Sequence, residues 1–385
     1  MSLENGKNIL LVGAGHAHLY VLRRAQALVR AGARVTLLAP ESFWYYSAMA
    51  SEVLSGHYGV KDFRVDLRAL AEKYGVEFIQ EEAEAVITEQ HQIRTAAGRT
   101  LDYTWVSFAV GSVPAERESD VPVDGSFPLY PARNMIEIRN EVETLLELEP
   151  DKELLATVLG GGSAGVEVAS NLAVLLKARA PQAGWRIVLL EAKGRLLSGF
   201  PAAASQRALK KLQRLGVTVR TQAQIQHVQS GRVVLEEGET MDFDLAVVAT
   251  GVRSPELFNR AGLFTDDSGS LLVERTLRSR EHPEIFATGD CARIMGLGLP
   301  RLGLHAAAQG PVLFHNLLSV VQGTRLKTYA PPGNPLQIIP LGSKDALLLK
   351  GATVLQGTWA LWLKHRLDRG YLRRYQVRPS LSRRS

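Results

Sequence analysis

The chain has 385 residues, 46% hydrophobic and 22% charged, with a formal net charge of +6 and a single cysteine, Cys291. That length suits two or three domains with real cores, and one cysteine excludes an internal disulfide or a dithiol redox pair. The charge is local: positions 351–385 hold eight basic residues (Lys364, Arg366, Arg369, Arg373, Arg374, Arg378, Arg383, Arg384) against Asp368, so this segment is +7 and the remainder −1. Such a distribution argues against a nucleic-acid binder and for a tail that meets an anionic surface, most simply a membrane. No run of 18 apolar residues exists, so no transmembrane helix is expected. The polar start MSLENGKNI reads as no secretory leader, and the single cysteine fits a reducing cytoplasm.

In chain order, NILLVG (8–13) is a continuous apolar run ending in glycine, the pattern of a buried parallel strand. A helical segment is predicted to about Arg30, then a second buried strand, RVTLLA (34–39). Residues 84–109 change character: short β-type runs with a turn at Ala97-Gly98-Arg99 lead to TWVSFAVGS. The plan then repeats about 150 residues later. LLATVLGGGSAGVEVASNL (154–172) predicts strand, glycine turn and helix, WRIVLLE (185–191) the next strand, and 223–250 short strands with a turn at Ser230-Gly231 before DLAVVATG. EIFATGD precedes a helix predicted from about His305, and LQIIPLGSKDALLLKG predicts a hairpin before the basic tail.

Each glycine turn follows a strand and opens a helix. There, helix N-terminal N–H groups face a pyrophosphate and glycine lets the backbone approach it. The second turn, Gly160-Gly161-Gly162-Ser163-Ala164-Gly165, is complete, and Glu191 closes the next strand, where a carboxylate suits the adenosine ribose hydroxyls of NADH. Lys193 and Arg195 nearby leave NADPH as the less favoured alternative. The first turn keeps Gly13 and Gly15 but has His18 at the third glycine position; its next strand ends at Ala39, with Glu41 two residues on. His16 and His18 lack an accompanying carboxylate or cysteine cluster, so no metal site is expected, and both are read as facing the cofactor or packing beneath it.

Together, Gly13-Ala14-Gly15, GGGSAGVEVA, the strand ends FAVGS and VVATG, and HPEIFATGDCA resemble the two-dinucleotide-domain flavoproteins of the pyridine nucleotide-disulfide oxidoreductase superfamily. VGAGHAHLYVLRR, YYSAMASEVLSGHY, RLGLHAAAQGPVL and GTWALWLKHRLDRGYLRRYQ narrow the likeness to NADH dehydrogenase-like proteins, especially the group associated with selenide water dikinase, and more distantly to type II NADH:quinone oxidoreductases. The resemblance implies an α/β fold of two Rossmann-like domains, glutathione reductase-like, the second inserted in the first. The implied division is 1–118 and 280–325 for FAD, 119–279 for NAD(P)H, and 326–385 for an interface or membrane-docking segment.

It also implies FAD and NADH as cofactors, with hydride passing from NADH to FAD and electrons on to a quinone or other small acceptor. FAD is assigned to Gly13, Gly15, His16, Ala17, His18, Ala83, Ala109, Gly111, Gly289, Asp290, Gly303 and Leu304. NADH is assigned to Gly160, Gly162, Ser163, Ala164, Gly165, Glu191 and Gly251. Asp290 matches the acid that binds the ribityl chain, and Glu167 and His305 are the catalytic candidates. Two departures stand out. The cysteines of disulfide and sulfide:quinone reductases are absent, and Gly303-Leu304 replaces the Ala-Gln pair of type II enzymes. Non-quinone acceptors, or a flavin- and NADH-binding sensor, are the alternatives.

If 355–371 is helical, Leu355, Trp359, Trp362, Leu363 and Leu367 share one arc with Arg366 inside it, while Lys364, His365, Asp368 and Arg369 lie opposite. Tryptophan with flanking arginine suits the inner face of a cell membrane. The competing arrangement packs this helix on the body or on a second subunit of a homodimer.

Overall fold

The computed structural model describes residues 6–115, 125–181, 184–236 and 238–377. The expected boundary at 118/119 and the tail arginines Arg378, Arg383 and Arg384 lie outside these.

Two five-stranded parallel sheets carry the fold. The first runs in the order Ile285–Ala287, Trp105–Phe108, Lys7–Val12, Ala33–Leu38, Glu77–Ile79. The second runs Ser126–Pro128, Leu245–Val248, Leu154–Leu159, Trp185–Glu191, Val217–Thr221. The orders correspond position for position, and each unit carries a three-stranded antiparallel sheet, Ala83–Ile87 with Gln92–Thr95 and Thr100–Asp102, or Ile225–Gln229 with Arg232–Leu235 and Thr240–Asp242. The central strands Lys7–Val12 and Leu154–Leu159 are mostly Leu, Val and Ile and buried over most of their length, as parallel strands covered on both faces require.

The chain leaves the first sheet after Phe108, builds the second, and returns with Ile285–Ala287 beside Trp105–Phe108. The outgoing Val113–Pro114 and returning Val252–Arg253 pair antiparallel. The second sheet is therefore an insertion into the first.

Three elements differ from expectation. The first helical segment is two helices, His16–Leu22 and Ala25–Arg30, interrupted where Arg24 leaves helical geometry (φ −118°) and its guanidinium lies 3.8 Å over the Tyr20 ring. The helix predicted from His305 begins at Gly303 and runs to Gln322. The last helix is Thr358–Leu372, and Leu355 belongs to a third strand, Thr353–Gln356, added to the expected hairpin Gln337–Pro340 and Ala346–Lys350. No described helix is long and apolar enough to cross a membrane.

The second glycine turn depends on close approach. A Cβ at Gly165 would sit 1.8 Å from the Gly160 carbonyl oxygen, whereas one at Gly162 meets nothing within 4 Å. Gly165→Ala is therefore expected to lose about 3 kcal/mol or more of stability, while Gly162→Ala folds normally and weakens only dinucleotide binding. Thermal unfolding of both, beside NADH titration, checks the contrast.

Candidate functional site

The helix Ser163–Arg179 starts at Gly162 with no side-chain cap, so its first N–H groups have no side-chain partner. Gly162 is exposed, Ser163 and Ala164 are half-buried, and the space over Gly162 is open. A pyrophosphate fits that concavity, since anions complement both the N–H groups and the helix dipole. Glu191 is held at its rim. One carboxylate oxygen accepts from Gly161 N and the other from Lys193 N, both at 2.8 Å. Arg195 donates instead to the carbonyls of Leu197, Ser198 and Phe200, which takes it away from any 2′-phosphate. Gly251 follows the strand Leu245–Val248 at φ +140°, and the preceding Ala249 carbonyl lies 2.5 Å from where a Gly160 Cβ would be.

The first turn is built differently. Cβ atoms at Gly13 and Gly15 would strike the Ala109 carbonyl oxygen at 2.6 and 2.8 Å. Where a third glycine is usual, His18 is fully buried beneath the turn. Its Nδ1–H donates to Gly13 O (2.6 Å) and its Nε2 accepts from Ser107 Oγ (2.9 Å), an assignment of tautomer that follows from the partners. Burial lowers its pKa to about 4, so the ring is neutral. His18 supports the turn from inside rather than lining its open face. Ala17 is buried beside it, where the helix Gly303–Gln322 approaches through Gly310.

His16 points the other way. It is half-exposed, its Nδ1 lies 2.7 Å from Tyr371 OH, and its ring sits edge-on to Trp44 and Tyr46. A Cβ on Gly303 would come within 2.9 Å of His16 Nε2. Gly303 and Leu304 are exposed at the start of their helix. Asp290 accepts from Ser112 Oγ (3.2 Å), and burial raises its pKa. The hydroxyls of a ribityl chain fit such a carboxylate. Arg301, not anticipated from sequence, fixes this loop by donating to the Asp290 and Val252 carbonyls and to Ser268 and Ser270. Gly289 N donates to Gln309 Oε1 (2.7 Å), Gly111 takes φ +74°, and Ala83 begins the first antiparallel insert.

The two catalytic candidates are not brought together. His305 is buried and its Nδ1 lies 3.3 Å from Tyr329 OH, with no interaction linking it to Glu167. Glu167 joins the two units: its Oε2 accepts from Ser51 Oγ (2.9 Å) on the helix Ser47–Leu54. It is partly accessible yet enclosed by protein mass, the signature of a cleft wall. Burial pushes its pKa up to about 8 against the pull of Lys364 and Ser51, so it carries a proton at neutral pH. A first-turn carboxylate stabilised by the helix dipole would need the opposite state.

The C-terminal helix turns its polar arc inward. Lys364 and Asp368, on the arc opposite the tryptophans, are buried, while Trp359, Trp362 and Leu367 are 48%, 62% and 50% exposed. The cause is Glu52, buried on Ser47–Leu54. Lys364 Nζ donates to Glu52 Oε2 (2.6 Å), Asp368 Oδ2 (2.7 Å) and Ala48 O (2.7 Å), and Tyr46 OH donates to Asp368 Oδ1 (3.2 Å). A buried carboxylate must find a cation, and this face supplies Lys364. A lone acid in the apolar run SAMASEVL, with Lys364 and Asp368 four residues apart, was the available signal.

Among the described residues, ligand atoms of Glu52, His57 and His365 lie within 4.8 Å of one another. Lys364 already holds one Glu52 oxygen and the Arg369 guanidinium lies 3.4 Å from His57 Nε2, so fixed cations occupy the neighbourhood of any added metal. Cys291 is fully buried, with Sγ 3.3 Å from Thr288 O, and burial raises its pKa to about 11. That thiol is not a nucleophile at neutral pH.

Glu191→Ala is expected to raise the KM for NADH about 10-fold, the usual cost of a lost hydrogen bond to a charged group, and to narrow the preference over NADPH. Flavin content should be unchanged; steady-state kinetics with both nucleotides checks this.

The family model described as pyridine nucleotide-disulphide oxidoreductase matches residues 7–310. A protein of Dictyostelium discoideum described as "Probable NADH dehydrogenase" is 28% identical over 40% of this chain, a match that spans about a third (35%) of that protein's length. The type II NADH:quinone oxidoreductase of Staphylococcus aureus is 23% identical over 95% of each chain. The structure of NDH2 from Plasmodium falciparum in complex with NADH is similar with a TM-score of 0.80 at 16% identity, covering 95% of this chain and 97% of that one. With the family match spanning both units, the chain belongs to the pyridine nucleotide-disulphide oxidoreductase family and is an FAD-dependent NADH oxidoreductase of the NADH dehydrogenase type.

Proposed function

We propose that this enzyme passes electrons from NADH to a quinone at a membrane surface. The observation that carries this reading is the orientation of the C-terminal helix. Its charged face is buried around Lys364, and its outer face presents Trp359, Trp362 and Leu367 beside Leu355, 44% exposed on the adjoining strand. Arg366 lies 5.8 Å from the Trp362 ring, its charge at the edge of this patch. Inserting these half-exposed side chains into an acyl boundary yields roughly 1 kcal/mol or more apiece, and each arginine near anionic headgroups adds about 1 kcal/mol. A lipid-soluble acceptor is reached from such a surface. The type II relative from Staphylococcus aureus is named for a quinone acceptor, which supports the same reading.

Gly13, Gly15 and Asp290 would hold FAD, and Gly160, Gly162, Gly165 and Glu191 would hold NADH. FAD, when bound, supplies the hydride-accepting and electron-donating chemistry. The protein supplies the proton. Converting a quinone and NADH to a quinol and NAD+ consumes one proton per turnover, and Glu167 enters neutral and able to donate it. The replacement of the type II Ala-Gln pair by Gly303-Leu304 favours a second reading, the same enzyme with a different acceptor.

The deciding experiment is an anaerobic NADH titration of the purified protein, followed by its visible flavin absorbance, with a short-chain benzoquinone added afterwards. Rapid bleaching reversed by the quinone supports the first reading, and bleaching that only other acceptors reverse supports the second. Glu167→Gln should retain flavin and slow quinone reduction on the order of 10²-fold. It should also remove the fall in rate expected of the wild type as pH rises through about 8 and Glu167 ionises. A flat wild-type profile would dismiss Glu167 as the donor. In flotation with anionic vesicles, the wild type should rise with the lipid and Trp359→Ser/Trp362→Ser should stay behind; a wild type that stays behind contradicts docking.

A further inference from the structure

The space beside the start of the helix Gly303–Gln322 receives no polar side chain from its first two residues, because 303 is glycine and 304 an exposed leucine. The polar side chain that faces it is His16, from the helix His16–Leu22. Aromatic rings surround this imidazole: Trp44, Tyr46 and, from the C-terminal helix, Tyr371, with centroids 4.9, 5.7 and 5.5 Å away. Trp44 stacks on Tyr46, and Tyr46 lies against Tyr371, so the collar is continuous. The collar sets the plane of the imidazole. The 2.7 Å hydrogen bond between His16 Nδ1 and Tyr371 OH sets its rotation.

A phenol hydroxyl is the stronger donor and an imidazole nitrogen the stronger acceptor, so Tyr371 donates to Nδ1 and the ring's own proton sits on Nε2. Nε2 has no partner among the described residues, and it is not one of the polar atoms sealed from the surface. The Tyr46 hydroxyl does not compete for a ligand there, since it donates to Asp368 Oδ1. Nε2 faces Gly303, where a Cβ would lie only 2.9 Å away, so the glycine keeps the approach to this atom open. Enclosure lowers the His16 pKa to about 4, which leaves the ring neutral at physiological pH, a single uncharged donor.

We propose that His16 Nε2–H binds a carbonyl oxygen of the electron acceptor's ring, with Leu304 as an apolar side of the slot and Tyr371 positioning the imidazole. This rests on the quinone reading above and names the groups that recognise that acceptor. One neutral donor framed by aromatic and aliphatic side chains suits an uncharged ring carbonyl, and an anionic acceptor finds no cation in the collar itself. In such surroundings a hydrogen bond counts for more than in water, and its loss leaves a polar group unpaired. Tyr371 lies on the same helix as the exposed Trp359 and Trp362, so one element joins the slot to the outward face. His16 keeps its proton throughout. Tyr371 acts only through His16 and is a positioning residue.

The test uses the holoenzyme and separates its half-reactions: anaerobic bleaching by NADH, then reoxidation by a short-chain benzoquinone at rising concentration, or by ferricyanide, which offers no ring carbonyl. Each variant's quinone result is read relative to ferricyanide in the same variant. His16→Leu should raise the quinone concentration for half-maximal reoxidation about 10-fold, with the limiting rate little changed. His16→Gln, which keeps an N–H donor, should raise it by less. Tyr371→Phe keeps the packed ring and stays informative even where a His16 variant folds poorly. It should weaken quinone dependence in the wild-type background and add nothing to His16→Leu. An unchanged quinone dependence in His16→Leu and Tyr371→Phe overturns the proposal. So does a loss shared equally by both acceptors with FAD released, which makes His16 a flavin contact only, and so do losses that simply add. A wild type that NADH bleaches and ferricyanide reoxidises, but no quinone does, overturns instead the quinone reading, and this proposal with it.

Discussion

The buried charge set of Glu52, Lys364 and Asp368 decides how the C-terminal third meets the nucleotide-binding body. Glu52 sits on a helix of the first unit and is nearly inaccessible, so its charge must be met from another element. Lys364 does so, and Asp368, one helical turn on, occupies another ammonium donor. Breaking such a buried set by removing one partner typically costs about 3–5 kcal/mol. That cost fixes the rotation of the helix Thr358–Leu372, and with it the direction of every other side chain on it. The tryptophans face outward because the lysine faces inward. Tyr371 reaches His16 for the same reason, which ties the C-terminal helix to the first glycine turn.

The two sheets show one architecture meeting two local demands. Their strand orders correspond, and both central strands end in a glycine at positive φ, Gly13 and Gly160, pressed against a neighbouring strand's backbone. They part at the third position. Gly165 has no room for a side chain, whereas His18 fills the equivalent place and satisfies a turn carbonyl that would otherwise face the interior. In the second unit the acid that closes the next strand, Glu191, is tied to the turn itself. In the first, Glu41 is spent on an ion pair with Arg133 at 2.6 Å.

Much of this was legible in the residues. Buried parallel strands announce themselves as continuous Leu/Val/Ile runs, and the repeat of strand, glycine turn and helix gave both sheets, while the insertion came only with the family resemblance. The antiparallel inserts followed from turns such as Gly98. The two arcs of the last helix were legible from its spacing, but what the polar arc of Lys, His and Asp meets was not. The partner that buries it, Glu52, is more than three hundred positions away, and helical spacing carries no information about distant charges. His16 and His18, alike in sequence, separate in space: helical geometry turns one toward the cleft and the other beneath the turn. The role of Arg301 was equally hidden, since its partners are mostly carbonyls and serines, which leave no mark in a sequence.

The closeness of Gly303 to His16 has an evolutionary consequence. The imidazole at 16 is held by Tyr371 and wedged against Trp44, so it cannot withdraw readily to admit a methyl group at 303. A methyl group at 303, such as the alanine that the type II resemblance places there, thus requires this chain's histidine to shift. The two positions are sterically coupled, so enlarging residue 303 calls for a compensating change at residue 16.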